Sequence, residues 1–216
     1  SRKHNWIMCI LYLGTFGSFI GFAAGFPLLI KSQFTGIDPV KYAFLGPLVG
    51  ALARPFGGWI SDKIKSGALI TQLVFIGMIV AVCGVIFFLP SNGEGGNFWG
   101  FFACFLALFA LTGIGNCSTF MQVPVIFLNM HQKFAEEGKV SEEQARLDAT
   151  KEGAAVIGFT AAFAAYGGFF IPKSYGTSID LTGGVNAALI GFIIFYAICA
   201  VLNWWYYTRK GAEAKC

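Results

Sequence analysis

The sequence predicts an all-α membrane protein of six transmembrane helices. Three observations carry that prediction. Of 216 residues, 56% are hydrophobic and only 12% are charged, about half the charged share of a soluble domain. The apolar residues come in continuous runs rather than alternating with period two, which favours helices over a barrel. Six windows approach or exceed the roughly 20 residues that a helix needs to cross a bilayer: 6–30, 41–60, 68–90, 98–128, 153–171 and 185–207.

Each element follows from its local residues. The first window contains GSFIGFAAG, with Gly17, Gly21 and Gly25 at four-residue spacing. Small residues on one stripe let a neighbouring helix approach closely, so a packing seam is expected there. Residues 31–40, with Gly36 and Pro39, form a short connection to the second window. After the third, LPSNGEGGN (89–97) is a turn cluster. The fourth window is long enough to tilt or to extend beyond the membrane. The one large polar connection is 129–152. Its second part is expected to be an amphipathic surface helix opened by Ser141, with Glu143 and Gln144 behind it. The fifth window is short, and Gly167, Gly168 and Pro172 interrupt its far end. The sixth closes a single unit, 1–216, with no soluble domain.

Charge distribution orients the unit. The net charge of +4 is a property of the loops and does not indicate nucleic-acid binding. Arg2, Lys3, Lys63, Lys65, Lys133, Lys139, Arg146, Lys151, Arg209, Lys210 and Lys215 fall on one side, against Lys31, Lys41 and Lys173 on the other. The positive-inside rule makes the richer side cytoplasmic. Both termini and the 129–152 connection are then cytoplasmic, as an even number of spans requires. The opening SRKHNW lacks an initiator Met and is read as a processed, recombinant or excised piece. Six cysteines without a C-x-x-C pair are expected to be free thiols acting as small apolar residues, so neither metal nor cofactor is expected.

One charge stands out. All eleven acids and both histidines lie in loops or at helix ends, whereas Arg54 lies past the middle of the second window. An arginine there costs about 2.5–3.5 kcal/mol on insertion scales, and guanidinium does not shed its proton. It must snorkel to the interface, bond to backbone carbonyls, or face a wet cavity where a passing anion supplies the missing charge. Its planar fork suits planar oxyanions and carboxylates. Tyr12 and Phe16, four apart on the first helix, offer a hydroxyl and a ring on one face, although on sequence alone packing explains such a pair better. In the fifth window, GFTAAFAAYGGFFIPK (158–173) is mostly small residues before Tyr166, suiting close approach to a neighbour or a small solute.

Gly58, Asp62 and Lys63 in GGWISDK match the G-x-x-x-D-[RK] loop motif of the major facilitator superfamily. Together with LYLGTFGSFIGFAAGF (11–26), YAFLGPLVGALARPFGGWISD (42–62) and GGFFIPKSYG (167–176), it resembles the carboxy-terminal half of a nitrate/nitrite porter over nearly the whole chain. The run from Gly158 to Pro172 resembles that family's nitrate signature, with Ala164, Ala165 and Tyr166 as departures. The resemblance implies a twelve-helix carrier of two six-helix halves with one anion site between them. Arg54 then matches the second of two substrate arginines. Tyr12 and Phe16 match the residues that hydrogen-bond and sandwich the anion, and Gly158 the glycine lying against it. Gly167 and Gly168 serve helix packing near the site.

The implied function is transport of nitrate and nitrite by alternating access in a cell membrane, in the service of nitrate assimilation, and not catalysis. The expected partners are these anions, the amino-terminal half and the bilayer. Lacking a titratable group within its spans, the chain is expected to work as an antiporter. Proton-coupled symport and a non-transporting assembly or sensor module are the alternatives.

Overall fold

The computed structural model describes residues 2–90, 95–214 and 216, with only the backbone of Arg2. Long helices follow directly from composition: a backbone without water must satisfy its polar groups internally. Among the described residues there is no strand. Helix α1 (Arg2–Tyr12), a π-helical turn (Leu13–Gly17) and α2 (Ser18–Gln33) form one continuous rod. Then come α3 (Pro39–Tyr42), α4 (Leu45–Ile64), α5 (Gly67–Phe88), α6 (Phe98–Glu136), α7 (Glu142–Ala165), α8 (Gly167–Thr182) and α9 (Asn186–Asn203), the last extended by a second π-helical turn (Trp204–Thr208). With α7 and α8 counted as one rod, five stretches of the described residues are long and apolar enough to cross a membrane. Helix α4, of 20 residues, is the sixth rod. Arg54, Asp62, Lys63 and its four glycines keep it out of those five stretches.

Three boundaries differ from the sequence reading. The window 41–60 is split: Asp38 caps the short α3, its Oδ1 accepting from Val40 N at 3.0 Å, and α4 starts only at Leu45 and runs to Ile64. Most of 129–152 is helix. Helix α6 continues to Glu136, and Ser141 caps α7 by accepting from Gln144 N at 3.2 Å. The expected surface helix is therefore the first part of the fifth rod, because nothing between Glu142 and Gly153 breaks the hydrogen-bond ladder. Third, Gly167, Gly168 and Pro172 do not end that rod, which bends at Tyr166 and runs on to Thr182. One proline removes one ladder bond, and packing at the two glycines offsets it. Of the turn cluster 89–97, residues 91–94 lie outside the described residues.

Helix α6 is central, packing on α4, α5 and α7, while α2 packs on α8 and α5 on α9. The predicted glycine stripe forms the α2–α8 seam. A Cβ at Gly21 would overlap the Gly167 carbonyl, and one at Gly25 would come within 2.9 Å of the Tyr175 ring. A second seam, not foreseen, crosses α4 and α6, where a Cβ at Gly113 would overlap the Gly50 carbonyl. At one end of the bundle a phenylalanine stack fills the core, with Phe26 lying parallel to Phe105 at 4.4 Å. At the other end Lys3 meets Glu213 at 2.8 Å, Lys133 donates to the Glu213 carbonyl at 3.3 Å, and Ser66 donates to the Cys216 carbonyl at 2.9 Å. The hydrogen bond from Lys3, more than any other influence, holds the Glu213 carboxyl below the ordinary carboxylate range. Burial pushes the Cys216 thiol up to about 12.

Candidate functional site

The π-helical turn begins directly after Tyr12 and contains Phe16. Such turns recur at functional positions because they insert a residue into the helix and rotate the side chains beyond it. Local chemistry favours the distortion. The buried Thr15 hydroxyl lies 3.3 Å from the Leu11 carbonyl and 3.4 Å from Thr119 Oγ1 of α6, and a hydroxyl that competes for a helical carbonyl loosens the ladder. Gly14 and Gly17 let the swollen turn sit close to its neighbours: a Cβ at Gly14 would come within 2.8 Å of the Phe75 ring, and one at Gly17 within 2.7 Å of the Ala164 carbonyl. The rings of Tyr12 and Phe16 stack at 5.2 Å with 27° between their planes.

Arg54 reaches this rod from α4. Its guanidinium carbon lies 4.5 Å from the centre of the Phe19 ring and 5.7 Å from that of Phe16. Such cation–π contacts contribute about 0.5–2 kcal/mol each, more where water is excluded, which does not replace a counter-ion. Among the described residues Arg54 has no salt-bridge partner, and its buried Nε has no hydrogen-bond partner. The charge remains half-buried and stacked on α2, and its polar edge is unused. Phe16, which stacks on Tyr12, lies 5.7 Å from the Arg54 guanidinium carbon and so links the two. Arg54, Tyr12 and Phe16 are therefore brought together.

Gly158 is not brought to this cluster by the contacts of α7. The rod packs on α6, α1 and the π-helical turn through the face carrying Gly153, Val156, Thr160 and Ala164, all buried. Gly158 points the opposite way, is exposed, and has nothing within 4 Å of where a Cβ would stand. Gly167 crosses the Gly17 backbone so tightly that a Cβ would overlap it, and Gly168 faces Ile20. The loop motif sits near the polar end. Gly58 lies against the Cys117 sulfur, Lys63 Nζ lies 5.2 Å over the Trp59 ring, and Asp62 lines a cavity of about 520 Å³ with Ser61, Lys65, Ser66, Gln122 and Cys216. Lys65, at φ 56°, ends α4, and Ser66 caps α5 by accepting from Leu69 N. No group of three or more potential metal ligands occurs among the described residues.

Two further residues of this region escaped the sequence reading. Phe19 is one phenylalanine among 24, and only its phase after the π-helical turn marks it. Asn116, 8% exposed with its Oδ1 lacking any partner, was visible as a lone amide in the glycine-rich run TGIGNCST.

No protein-family model matches the chain. It is 44% identical over 214 residues to the nitrate/nitrite transporter NarU of Escherichia coli K12, covering 99% of this chain and 46% of that protein. The corresponding NarU of Salmonella typhimurium LT2 is 44% identical over 97% of this chain and 45% of its own length. The probable nitrate/nitrite antiporter NarK2 of Thermus thermophilus is 42% identical over 99% of this chain and 44% of its own length. The chain spans about half the length of the curated relatives it matches.

Proposed function

We propose, on the premise that this chain belongs to the nitrate/nitrite porters of the major facilitator superfamily, that it forms the carboxy-terminal six-helix half of a twelve-helix carrier and supplies one side of a site for nitrate and nitrite. The half-length match to proteins named as transporters supports the division into halves. The observation that carries the anion site is Arg54: a guanidinium held over two phenyl rings, with a buried Nε that has no partner among the described residues. A planar monoanion supplies the charge and acceptors that this group lacks. Phe16 and Phe19 hold the guanidinium plane, so that its fork is oriented before the anion arrives. Tyr12 brings a hydroxyl beside the same ring stack.

The same charge suggests the cycle. An empty carrier would move a desolvated cation through its occluded state, whereas a bound anion neutralises it. Loaded reorientation is then the easier path, and nitrate enters as nitrite leaves. The relative named as an antiporter supports exchange over proton symport. Gly158 contributes from a face that this half leaves open, so any demand for glycine there comes from the substrate or from the amino-terminal half. The protein then lies in the cell membrane with both described chain ends on the cytoplasmic side. The contacts that gather Lys3, Ser66, Lys133, Glu213 and Cys216 at one end of the bundle support that arrangement. The test is ¹⁵N-nitrate uptake into proteoliposomes holding the complete transporter. Uptake that Arg54→Ala abolishes supports the proposal. No uptake by the unmodified complete protein, in any gradient, contradicts it and favours the assembly or sensor alternative.

A further inference from the structure

We infer that Asn116 is a second polar contact for the anion held by Arg54, and that it distinguishes nitrate from nitrite. The inference rests on the anion site proposed above. Asn116 lies in the middle of α6, only 8% exposed, with Oδ1 out of reach of any donor and no hydrogen bond made by its amide among the described residues. Buried amides in native proteins almost always have partners, so an orphan in a carrier's core marks a place where a partner comes and goes.

The helix phase gives its direction. Successive residues turn by about 100°, and the neighbours of Asn116 locate two walls. On one side Gly113 and Cys117 face α4: a Cβ at Gly113 would overlap the Gly50 carbonyl, and Cys117 Sγ stands by Gly58. On the other side Gly115 and Thr119 face the π-helical turn, with Thr119 Oγ1 3.4 Å from Thr15 Oγ1. Asn116 points between these walls. That wedge, between α4 and the first rod, is the one into which Arg54 reaches from α4 and in which Tyr12 and Phe16 stand on the rod. The other polar residues of the run are already engaged: Thr112 donates to the Phe109 carbonyl, and Ser118 bonds with Thr71. Asn116 is left without a partner, and a half-turn about χ2, which exchanges Oδ1 and Nδ2, turns its N–H pair toward the anion.

The selectivity follows from the shapes of the two anions. When the arginine fork takes two oxygens, the third oxygen of nitrate points away from the guanidinium. Nitrite has no third oxygen, and at that apex it presents only its nitrogen lone pair, one N–O bond length nearer the arginine. An amide N–H placed to donate to the nitrate oxygen falls short of the nitrite nitrogen. Asn116 therefore strengthens nitrate binding more than nitrite binding.

The experiment measures dissociation constants of both anions by calorimetry on the complete transporter in nanodiscs, for the unmodified protein, Arg54→Ala, Asn116→Leu and Asn116→Ser. Asn116→Leu keeps the branched shape and heavy-atom count and removes both polar atoms. It is expected to weaken nitrate by about tenfold or more, the usual effect of losing one hydrogen bond to a charged group, and nitrite by less than about threefold. Arg54→Ala is expected to abolish both. Asn116→Ser, smaller and still polar, reads the same ratio if the leucine variant does not fold. An unchanged nitrate-to-nitrite ratio in the folded variants, with Arg54→Ala inactive, overturns the role of Asn116 alone. Full binding by Arg54→Ala overturns the parent site.

Discussion

Replacing Arg54 by lysine keeps one positive charge and removes everything else that the geometry gives this residue. The guanidinium lies 4.5 Å from the Phe19 ring and 5.7 Å from the Phe16 ring, stacked where a compact ammonium has no plane to lay against them. The planar fork offers two parallel donors to one anion, and lysine offers a single point. Loss of one charge-assisted hydrogen bond costs about 1.5–3 kcal/mol, and part of the stacking adds about 0.5–2 kcal/mol. Together these make about 2–5 kcal/mol, or roughly thirtyfold to a few thousandfold in affinity. The upper end applies if the anion is fully desolvated between the two halves. Calorimetric titration of nitrate into the complete transporter in nanodiscs measures the difference directly, with thermal melting to establish that the variant is folded. A folded Arg54→Lys protein that binds nitrate within threefold of the unmodified protein would refute the reasoning, since a simple charge would then suffice and the fork would be incidental.

Tyr12→Phe removes one donor beside the site and keeps the stacked ring. Nitrate affinity is expected to fall by about tenfold to a hundredfold, and an unchanged dissociation constant reassigns Tyr12 to packing. Gly167→Val and Gly158→Val separate two kinds of glycine. The first drives a side chain into the Gly17 backbone and is expected to lower the melting temperature or prevent folding. The second meets nothing in this half and is expected to melt normally while losing transport; a fully active Gly158→Val protein shows that this face does not approach the substrate. Glu213 has its carboxyl held down by the hydrogen bond from Lys3. That contact is complete above the ordinary carboxylate value of 4.5 and is lost as pH falls through the lower folded value. Glu213→Gln at neutral pH is expected to speed hydrogen exchange at Ala212 and Ala214, whose N–H groups bond to Arg209 and Tyr206, without changing the global melt. Unaltered exchange there means that the ion pair does not hold the segment.

The class of fold and the centre of the candidate site are legible because both rest on exclusion. A chain this poor in charge has few ways to hide its backbone other than in helices, and Arg54 is conspicuous as the one ionised group remote from every loop. What stayed illegible depends on which surfaces meet. Gly50 and Gly113 form a crossing as tight as that of Gly21 with Gly167, yet the buried stripe Gly46, Gly50, Gly57 and Ser61 of α4 does not by itself name α6 as its neighbour. Phe19 follows the π-helical turn, and Gly14, Thr15 and Gly17, which favour that turn, are found in ordinary membrane helices as well and so do not announce it. The boundary errors share a cause. Polar residues at 129–136 and 142–152 continue helices into solvent as easily as they form loops, and glycines inside 153–171 look like interruptions until their partner backbone at Gly17 is seen. Gly158 was named through a family likeness, and its open face explains why residues within this half give it no local reason.

The central claim, a fixed unpaired cation whose partner is the transported anion, is tested most directly by counterflow in proteoliposomes made from the complete transporter. Vesicles loaded with nitrite, with nitrate or with neither are given external ¹⁵N-nitrate, with and without an imposed pH gradient, and the initial uptake is followed. The account predicts uptake that requires internal nitrite or nitrate, ignores the pH gradient, and disappears with Arg54→Ala. Strong uptake into anion-free vesicles driven by the pH gradient would contradict it.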